Sequence, residues 1–366
     1  MKFSTQAIHI GQEPEKTTGA IVPPVYLTST FIQKHPGVTK GYDYTRAGNP
    51  NFTNLEKTLA ALEKGKYATV FSSGLGALTA IASTLSTGDT VIAIDDVYGG
   101  TFRLFRKVFQ KFGVKFKQIS FKDLEEVEKN LKLKPKIILL ESPTNPLLKT
   151  IDIKKISSLA KKYKVLTVVD NTFASPYFQQ PLTLGAYIVL HSSTKYLGGH
   201  SDLIGGAIIT KDKNFADEMD FARKALGLNP SPFDVWLISR SLKTLSVRME
   251  KHQENAFEVA RFLKEHPKVK KVYYPGFSGI VSVEFKLSLA QTKKLISSFQ
   301  VFSLAESLGG VESLVDHPAS MTHASIPKKE RDRIGLHDGL VRFSVGLENI
   351  EDLIADLEKA FKRVFK

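Results

Sequence analysis

The chain has 366 residues, 42% of them hydrophobic, enough for a large core and for two domains rather than one. It contains no cysteine, which excludes disulfides, thiol nucleophiles, iron–sulfur clusters and cysteine-based zinc sites, and its nine histidines show no HExxH-type pairing that would support a catalytic metal. The formal charge of +14 raises nucleic-acid binding, but the lysines of LEKTLAALEKGK and FKDLEEVEKNLKLKPK are mixed with glutamates and lack interleaved aromatics, so they read as a solvated surface.

In chain order, MKFSTQAIHIGQEPEK lacks an apolar leader, and no later stretch approaches the roughly 18 to 20 apolar residues needed to span a bilayer. No membrane contact and a cytoplasmic location are therefore expected. Residues 1–47, punctuated by Pro23, Pro24, Gly37 and Gly41, show little periodicity and read as an arm. From about residue 66 to 210, the runs YATVFSS, TVIAIDD, VKFKQIS, KIILLES, LTVVDNT, YIVLHSS and GGAIIT alternate with amphipathic segments. Apolar strands separated by helix-length segments predict an α/β unit, a mostly parallel sheet covered on both faces, assigned here to residues 48–246. Residues 247–366 change pattern and end in NIEDLIADLEKAFKRVFK, which predicts a smaller α+β C-terminal domain.

In parallel sheets, ligands gather at the carboxyl ends of the strands, so those endings are the candidate site. FSSGLGA is a strand, a turn and a helix start at Ser73, Gly74 and Leu75, which would aim amides at an anion. The same small residues also suit a plain tight turn. With Gly76 and Asp95 they make a near miss to the dinucleotide fingerprint, which keeps an NAD(P)-dependent dehydrogenase as a rival. Tyr98 in DDVYGGT can lie over a planar ligand or pack on the surface. Asn145 in ESPTNP suits a fixed amide contact or plain loop geometry. Asp170, ending LTVVD, is a turn former or the partner of a cation. LHSSTKYLGGHSD then places Ser192 and Thr194 ahead of Lys195, a lysine set to form a Schiff base with an aldehyde cofactor. Pyridoxal phosphate gives these residues one joint purpose, whereas a dehydrogenase explains only the glycines.

YDYTRAGNP, SSGLGA, DDVYGGT, ESPTNP, VVDNTF, HSSTKYLGGHSD, LAESLGGVESL, HPASMTHAS and VRFSVGLEN, in this order and spacing, resemble the cysteine/methionine-metabolism family of pyridoxal-phosphate enzymes, the cystathionine γ-synthase and γ-lyase group. The resemblance runs over nearly the whole chain. It implies fold type I, the aspartate-aminotransferase-like fold, and a homotetramer built from active-site dimers. It implies that Lys195 holds the cofactor and shuttles protons. Ser73, Gly74, Leu75, Ser192 and Thr194 would hold its phosphate, joined by Tyr44 and Arg46 from a neighbouring subunit. Asp170 would keep the ring nitrogen protonated, and Tyr98 would stack on the ring and act as a base. Asn145 would contact cofactor and substrate, while Arg342 and Ser307 would clamp the α-carboxylate. Unaided by the resemblance, Arg342 reads as a surface ion pair.

The resemblance further implies small amino-acid substrates and loss of a γ-substituent, followed either by attack of cysteine to give cystathionine or by release of 2-oxobutyrate and ammonia. Gly100 stands where methionine γ-lyases of the family usually carry cysteine, and Glu306 replaces an apolar residue, which argues against methionine breakdown. Glu306 and Arg103 are the candidates for the distal groups of cystathionine or cysteine. The expectation is a cystathionine γ-synthase, with γ-lyase as the alternative. Asn51 departs from the usual NPT, and VYYPGFSGIVSVEF passes to the next strand through a shortened loop, expected to leave the site intact.

Overall fold

The seven apolar runs form seven strands of one sheet in the computed structural model, which describes residues 1–324 and 328–364. Ser325 of the HPASMTHAS motif and the last two residues of the C-terminal helical pattern lie outside the described residues. The strands are β1 (Tyr67–Phe71), β2 (Thr90–Ile94), β3 (Lys115–Ile119), β4 (Ile137–Glu141), β5 (Leu166–Asp170), β6 (Ile188–Ser192) and β7 (Gly206–Thr210). Their order is β1-β7-β6-β5-β4-β2-β3. Only β7 runs against its neighbours; it lies between β1 and β6, antiparallel to both.

Both faces of this sheet are covered, as continuous apolar strands require. Successive side chains point to opposite faces, so Ile188 and Leu190 join one core while Val189 between them joins the other. The first core packs the sheet against helix Gly74–Ala82, through Leu78 and Ile81. The second packs it against helices Pro50–Leu62 and Pro232–Leu242, through Phe52, Leu55, Val235 and Ile238. Each such apolar side chain contributes about 1.5–3 kcal/mol by leaving water.

A second sheet contains β8 (Val269–Tyr273), β9 (Ile280–Phe285), β10 (Ser303–Leu304), β11 (Leu314–Asp316) and β12 (Leu340–Ser344), in the order β10-β11-β12-β9-β8. It is antiparallel except for the β10–β11 pair. Helix Leu245–Glu265 joins the two units: Leu245 and Met249 enter the core under the large sheet, and Ala256, Val259 and Leu263 enter that of the small one. This shared helix fixes β11 and β12 relative to the strand ends of the large sheet.

The N-terminal segment forms a short helix, Phe3–His9, and then runs mostly without regular structure to residue 49. Asn51 has a local task there: its Oδ1 accepts from the Tyr26 amide at 2.8 Å and its Nδ2 donates to Pro24 O at 2.8 Å. Trp236 Nε1 also donates to Pro23 O at 3.0 Å. Beyond these anchors Ile21, Leu27 and Ile32 remain exposed.

Candidate active site

A cavity of about 320 Å³ opens where the carboxyl ends of the large sheet meet the small one. Its wall contains Ser73, Gly74, Leu75, Tyr98, Asn145, Asp170, Ser192, Thr194, Lys195, Glu306, Ser307 and Arg342, so the fold brings together twelve residues that the sequence nominated. Tyr44, Arg46 and Arg103 are exposed and are not part of this wall; Arg46 Nη1 donates to Lys224 O at 2.9 Å. Asp95 is also off the wall and pairs with Lys149 Nζ at 3.2 Å.

β1 ends at Phe71, and Ser73 caps helix Gly74–Ala82 by accepting from the Gly76 amide at 2.9 Å. The first amides of a helix have no partner within it, and the positive helix end adds to their pull on an anion. A side chain at Gly74 would lie 2.8 Å from Ser192 Cβ, so only glycine lets this turn close on the end of β6. Ser192 is aligned by its own amide, which donates to Thr172 Oγ1 at 2.9 Å.

Lys195 sits in the turn after β6. Gly199 closes that turn with φ +69°, and its amide donates to Lys195 O at 2.7 Å. Arg248 Nη1 donates to Tyr196 O at 2.8 Å and locks the turn from below. Lys195 Nζ donates to Ser307 Oγ at 2.7 Å. Burial, with Arg342 adding to it, lowers the lysine pKa to about 8, while Asp316 and Glu306 pull the other way. Ser307 has φ +110°, a region that L-residues avoid, at a cost of roughly 1–3 kcal/mol. Its carbonyl accepts from Arg342 Nη2 at 3.0 Å, which helps to hold the strained turn.

Arg342 lies on β12 and is almost fully buried. Its Nη1 donates to Asn145 Oδ1 at 2.7 Å, and Nη2 pairs with Asp316, its register partner on β11. This corrects the surface-pair reading: Arg342 belongs to a buried pair on the cavity wall. Its Nε has no partner among the described residues.

Sequence reasoning passed over two acids here. Asp316 gave no motif signal; burial raises its pKa, opposed mainly by Arg342. Glu141 ends β4 inside ESPTNP, where attention fell on Asn145. It lines the cavity and its Oε2 accepts from the Tyr98 amide at 2.9 Å. Burial, then the charge of Asp170, pushes Glu141 well above the usual carboxylate range. Burial likewise raises Asp170, although its Oδ1 accepts from Thr172 N at 3.0 Å and Thr172 Oγ1 at 2.5 Å. The shortened loop before β9 stays off the cavity wall; Ser278 Oγ and the Gly279 amide donate to Tyr196 Oη at 3.1 and 3.0 Å.

No helix among the described residues is long and apolar enough to cross a membrane, and no cluster of His, Asp or Glu among them could hold a metal ion. Comparison with known proteins gives a consistent result. The family described as Cys/Met metabolism PLP-dependent enzyme matches residues 4–362. A cystathionine β-lyase of Coxiella burnetii is 47% identical over 98% of this chain and 97% of its own. The crystal structure of a cystathionine γ-lyase from Lactobacillus plantarum, complexed with L-serine, superposes with a TM-score of 0.96 at 42% identity over all of both chains. That of a cystathionine γ-synthase from Xanthomonas oryzae pv. oryzae, in complex with cystathionine, gives 0.97 at 40% identity over 100% of this chain and 99% of that one.

The cavity fits the cofactor of that family on its own terms. Asp170 is a half-buried carboxylate at the cavity wall with no ion-pair partner among the described residues, suited to a protonated ring nitrogen. The capped helix start and Ser192 suit a phosphate, and a lysine whose pKa is lowered to about 8 suits an aldehyde. The dehydrogenase and nucleic-acid alternatives lose their footing together. With its fold type I architecture and a match across residues 4–362, the chain belongs to the Cys/Met-metabolism PLP-dependent enzymes, and its cofactor is pyridoxal 5′-phosphate.

Proposed function

We propose that this enzyme of the cystathionine lyase and synthase group cleaves cystathionine at a carbon–sulfur bond. One observation carries the reading: the wall that contains Lys195 also contains the cation Arg342 and the exposed carboxylate Glu306. Cystathionine has an α-carboxylate near its reacting carbons and a second ammonium and carboxylate beyond the sulfur. Arg342, with Nε unpartnered and Nη1 bridged to Asn145, binds the first; Glu306 receives the distal ammonium. Arg103, exposed at the end of the short helix Gly99–Arg103 that Tyr98 precedes, is within the same reading the group for the distal carboxylate.

When bound, pyridoxal phosphate supplies an electron sink for charge developing at the substrate's α-carbon. Lys195 holds its aldehyde and then moves the proton at Cα, aided by the low pKa that burial gives its amine. Ser307 orients the Lys195 Nζ. Asp170 holds the proton of the ring nitrogen, Tyr98 packs on the ring and offers its phenol as a second base, and Asn145 contacts both cofactor and substrate. Ser73, Gly74, Leu75, Ser192 and Thr194 grip the phosphate.

The arm completes the proposal. Among the described residues the cavity wall carries no cation beyond Lys195 and Arg342, while Tyr44 and Arg46 stand exposed on a segment with uncovered apolar side chains. In a homotetramer of active-site dimers, the arm of one copy places this pair over the phosphate of the next. A cytoplasmic setting is part of the same reading.

Lyase chemistry is placed ahead of the synthase expectation because similar proteins carry β-lyase and γ-lyase names. Synthesis remains the second reading, supported by the likeness to the Xanthomonas γ-synthase. A product assay separates them. Cofactor-loaded protein is given cystathionine alone, or cysteine with homoserine esters, and products are identified by mass spectrometry. Cysteine with 2-oxobutyrate marks γ-cleavage; homocysteine with pyruvate marks β-cleavage. Cystathionine formed faster than either keto acid would overturn the lyase reading in favour of the synthase.

A further inference from the structure

Behind the strand ends that face the cavity lies a second polar cluster with no part in the steps above. Glu63 follows helix Pro50–Leu62 and is fully buried. Its Oε1 accepts from Asn171 Nδ2 at 2.7 Å and lies 2.5 Å from His191 Nε2. A carboxylate acceptor there places the imidazole proton on Nε2. Asn171 directly follows Asp170, and His191 directly precedes Ser192. Because neighbouring strand residues point to opposite faces, the cluster grips the back of the two strand ends whose fronts carry Asp170 and Ser192.

The cluster extends to a third strand. Asn171 Oδ1 accepts from Gln179 Nε2 at 2.9 Å, and Asn171 Nδ2 also donates to Gln179 O at 2.8 Å. The same Gln179 Nε2 donates to Ser142 O at 2.9 Å, directly after Glu141. One carboxylate from a distant helix thus ties together the ends of β4, β5 and β6. Apolar side chains of similar volume would fill this space without the desolvation cost of an acid, an imidazole and two amides, so stability alone does not account for it.

We propose that Glu63 is a positioning residue for the cofactor: through Asn171 and His191 it sets the placement of Asp170 and Ser192 relative to one another. The inference rests on the reading that these two residues hold the ring nitrogen and the phosphate. It places outside the cavity a determinant of cofactor affinity that acts through the back of the sheet.

The test uses the full chain stripped of cofactor and titrated with pyridoxal phosphate, following the visible absorption band, alongside thermal melts of the stripped protein. Glu63→Gln keeps the volume and Glu63→Ala removes the link. Glu63→Ala is expected to raise the dissociation constant about tenfold or more and to shift the visible band, with a smaller rise for Glu63→Gln. Wild-type affinity and an unshifted band in both variants, whatever their melting temperatures, would overturn the inference. If Glu63→Ala fails to fold, Glu63→Gln decides by the same two readouts. Lys195→Ala in the same series tests the underlying reading. A visible band that survives it would overturn the cofactor assignment to Lys195; a band lost there, with unchanged binding in the Glu63 variants, would overturn this inference alone.

Discussion

Glu141 and Asp170 stand opposite one another in register at the ends of the adjacent parallel strands β4 and β5, both at the cavity wall. Two neighbouring carboxylates so placed, Glu141 buried and Asp170 half-buried, cannot both ionise at ordinary cost, and the burden falls on Glu141, pushed well above the usual range by burial and by Asp170. Because Glu141 is pushed up further than Asp170, Asp170 is the more readily ionised of the two and the better placed to face the cofactor's ring nitrogen. Glu141→Gln, a neutral isostere, is therefore expected to keep kcat within about threefold. Glu141→Ala removes the acceptor for the Tyr98 amide and is expected to cost about 1–3 kcal/mol of stability. Steady-state kinetics and denaturant melts of both variants check this; a Glu141→Gln variant as impaired as the alanine would show that the negative charge itself is needed.

Asp96, beyond β2, continues the row of acids. Burial pushes its pKa up to about 6 from 3.8, against Lys149 and the hydrogen bond donated by Thr144 Oγ1 at 2.7 Å. Between those values the folded state keeps a proton that the unfolded chain has released, so this group makes stability fall as pH rises from about 4 to about 6. The loss amounts to about 2–3 kcal/mol. Asp96→Asn cannot titrate. The stability of the variant relative to the wild type is expected to rise across that window and to stay level above it, measured by denaturant titration of the stripped protein at several pH values.

Much of this fold was legible in the sequence because its strands are buried on both faces. YATVF, TVIAI, KIILL and YIVLH read as strands without help from alternation. Lys195, Asp170 and the Ser73 turn were legible because parallel sheets collect ligands at strand ends, which turns position in the pattern into a site. Glu63 and Asp316 were not. Their partners, His191 at a separation of 128 residues and Arg342 at 26, come from other elements, and a lone acid just past a helix or in a strand resembles a surface acid until packing buries it. Without the resemblance, Arg342 too would have passed for a surface pair, for the same reason. The arm resisted because its apolar residues have no periodicity and, within one chain, little to pack against.

The Tyr98 ring lies across Gly100, where a Cβ would stand 2.3 Å from Tyr98 Cε1. A side chain at this position pushes the ring off its present course. Gly100→Ala is expected to weaken pyridoxal-phosphate binding by about two- to tenfold, the range of an aromatic stacking contact. Tyr98→Phe, which keeps the ring, is expected to bind the cofactor like the wild type. Unchanged cofactor affinity in Gly100→Ala would show that the ring moves without loss, and that glycine here serves only the turn.

The amine of Lys195, lowered to about 8 from 10.5, makes cofactor uptake a readout of the site's electrostatics. Only the neutral amine attacks an aldehyde. The rate at which stripped protein takes up pyridoxal phosphate is expected to rise with pH up to about 8 and then level, instead of climbing toward 10.5. Stopped-flow absorbance across pH 6 to 10 checks this. Replacing Arg342 with Met removes a positive charge that contributes to the lowering, so the plateau is expected to move to higher pH; a plateau unmoved in that variant would leave burial as the sole cause.

Glu306 is exposed, yet close enough to Lys195 to act on its charge, so it stands at the rim where the far end of a long substrate would lie. An exposed carboxylate is screened, and its worth to binding is correspondingly modest. Glu306→Ala is expected to raise KM for cystathionine roughly tenfold while leaving kcat nearly unchanged, because the contact persists from bound substrate to transition state. Glu306→Gln, still able to accept a hydrogen bond, is expected to fall between. A shorter thioether that lacks the distal amino-acid end, S-ethylcysteine if the product assay shows β-cleavage or S-ethylhomocysteine if it shows γ-cleavage, provides the control, since its KM should not respond to either substitution. Equal losses on both substrates would place Glu306 in the chemistry at Lys195 instead of in recognition, and would remove the feature that points to cystathionine.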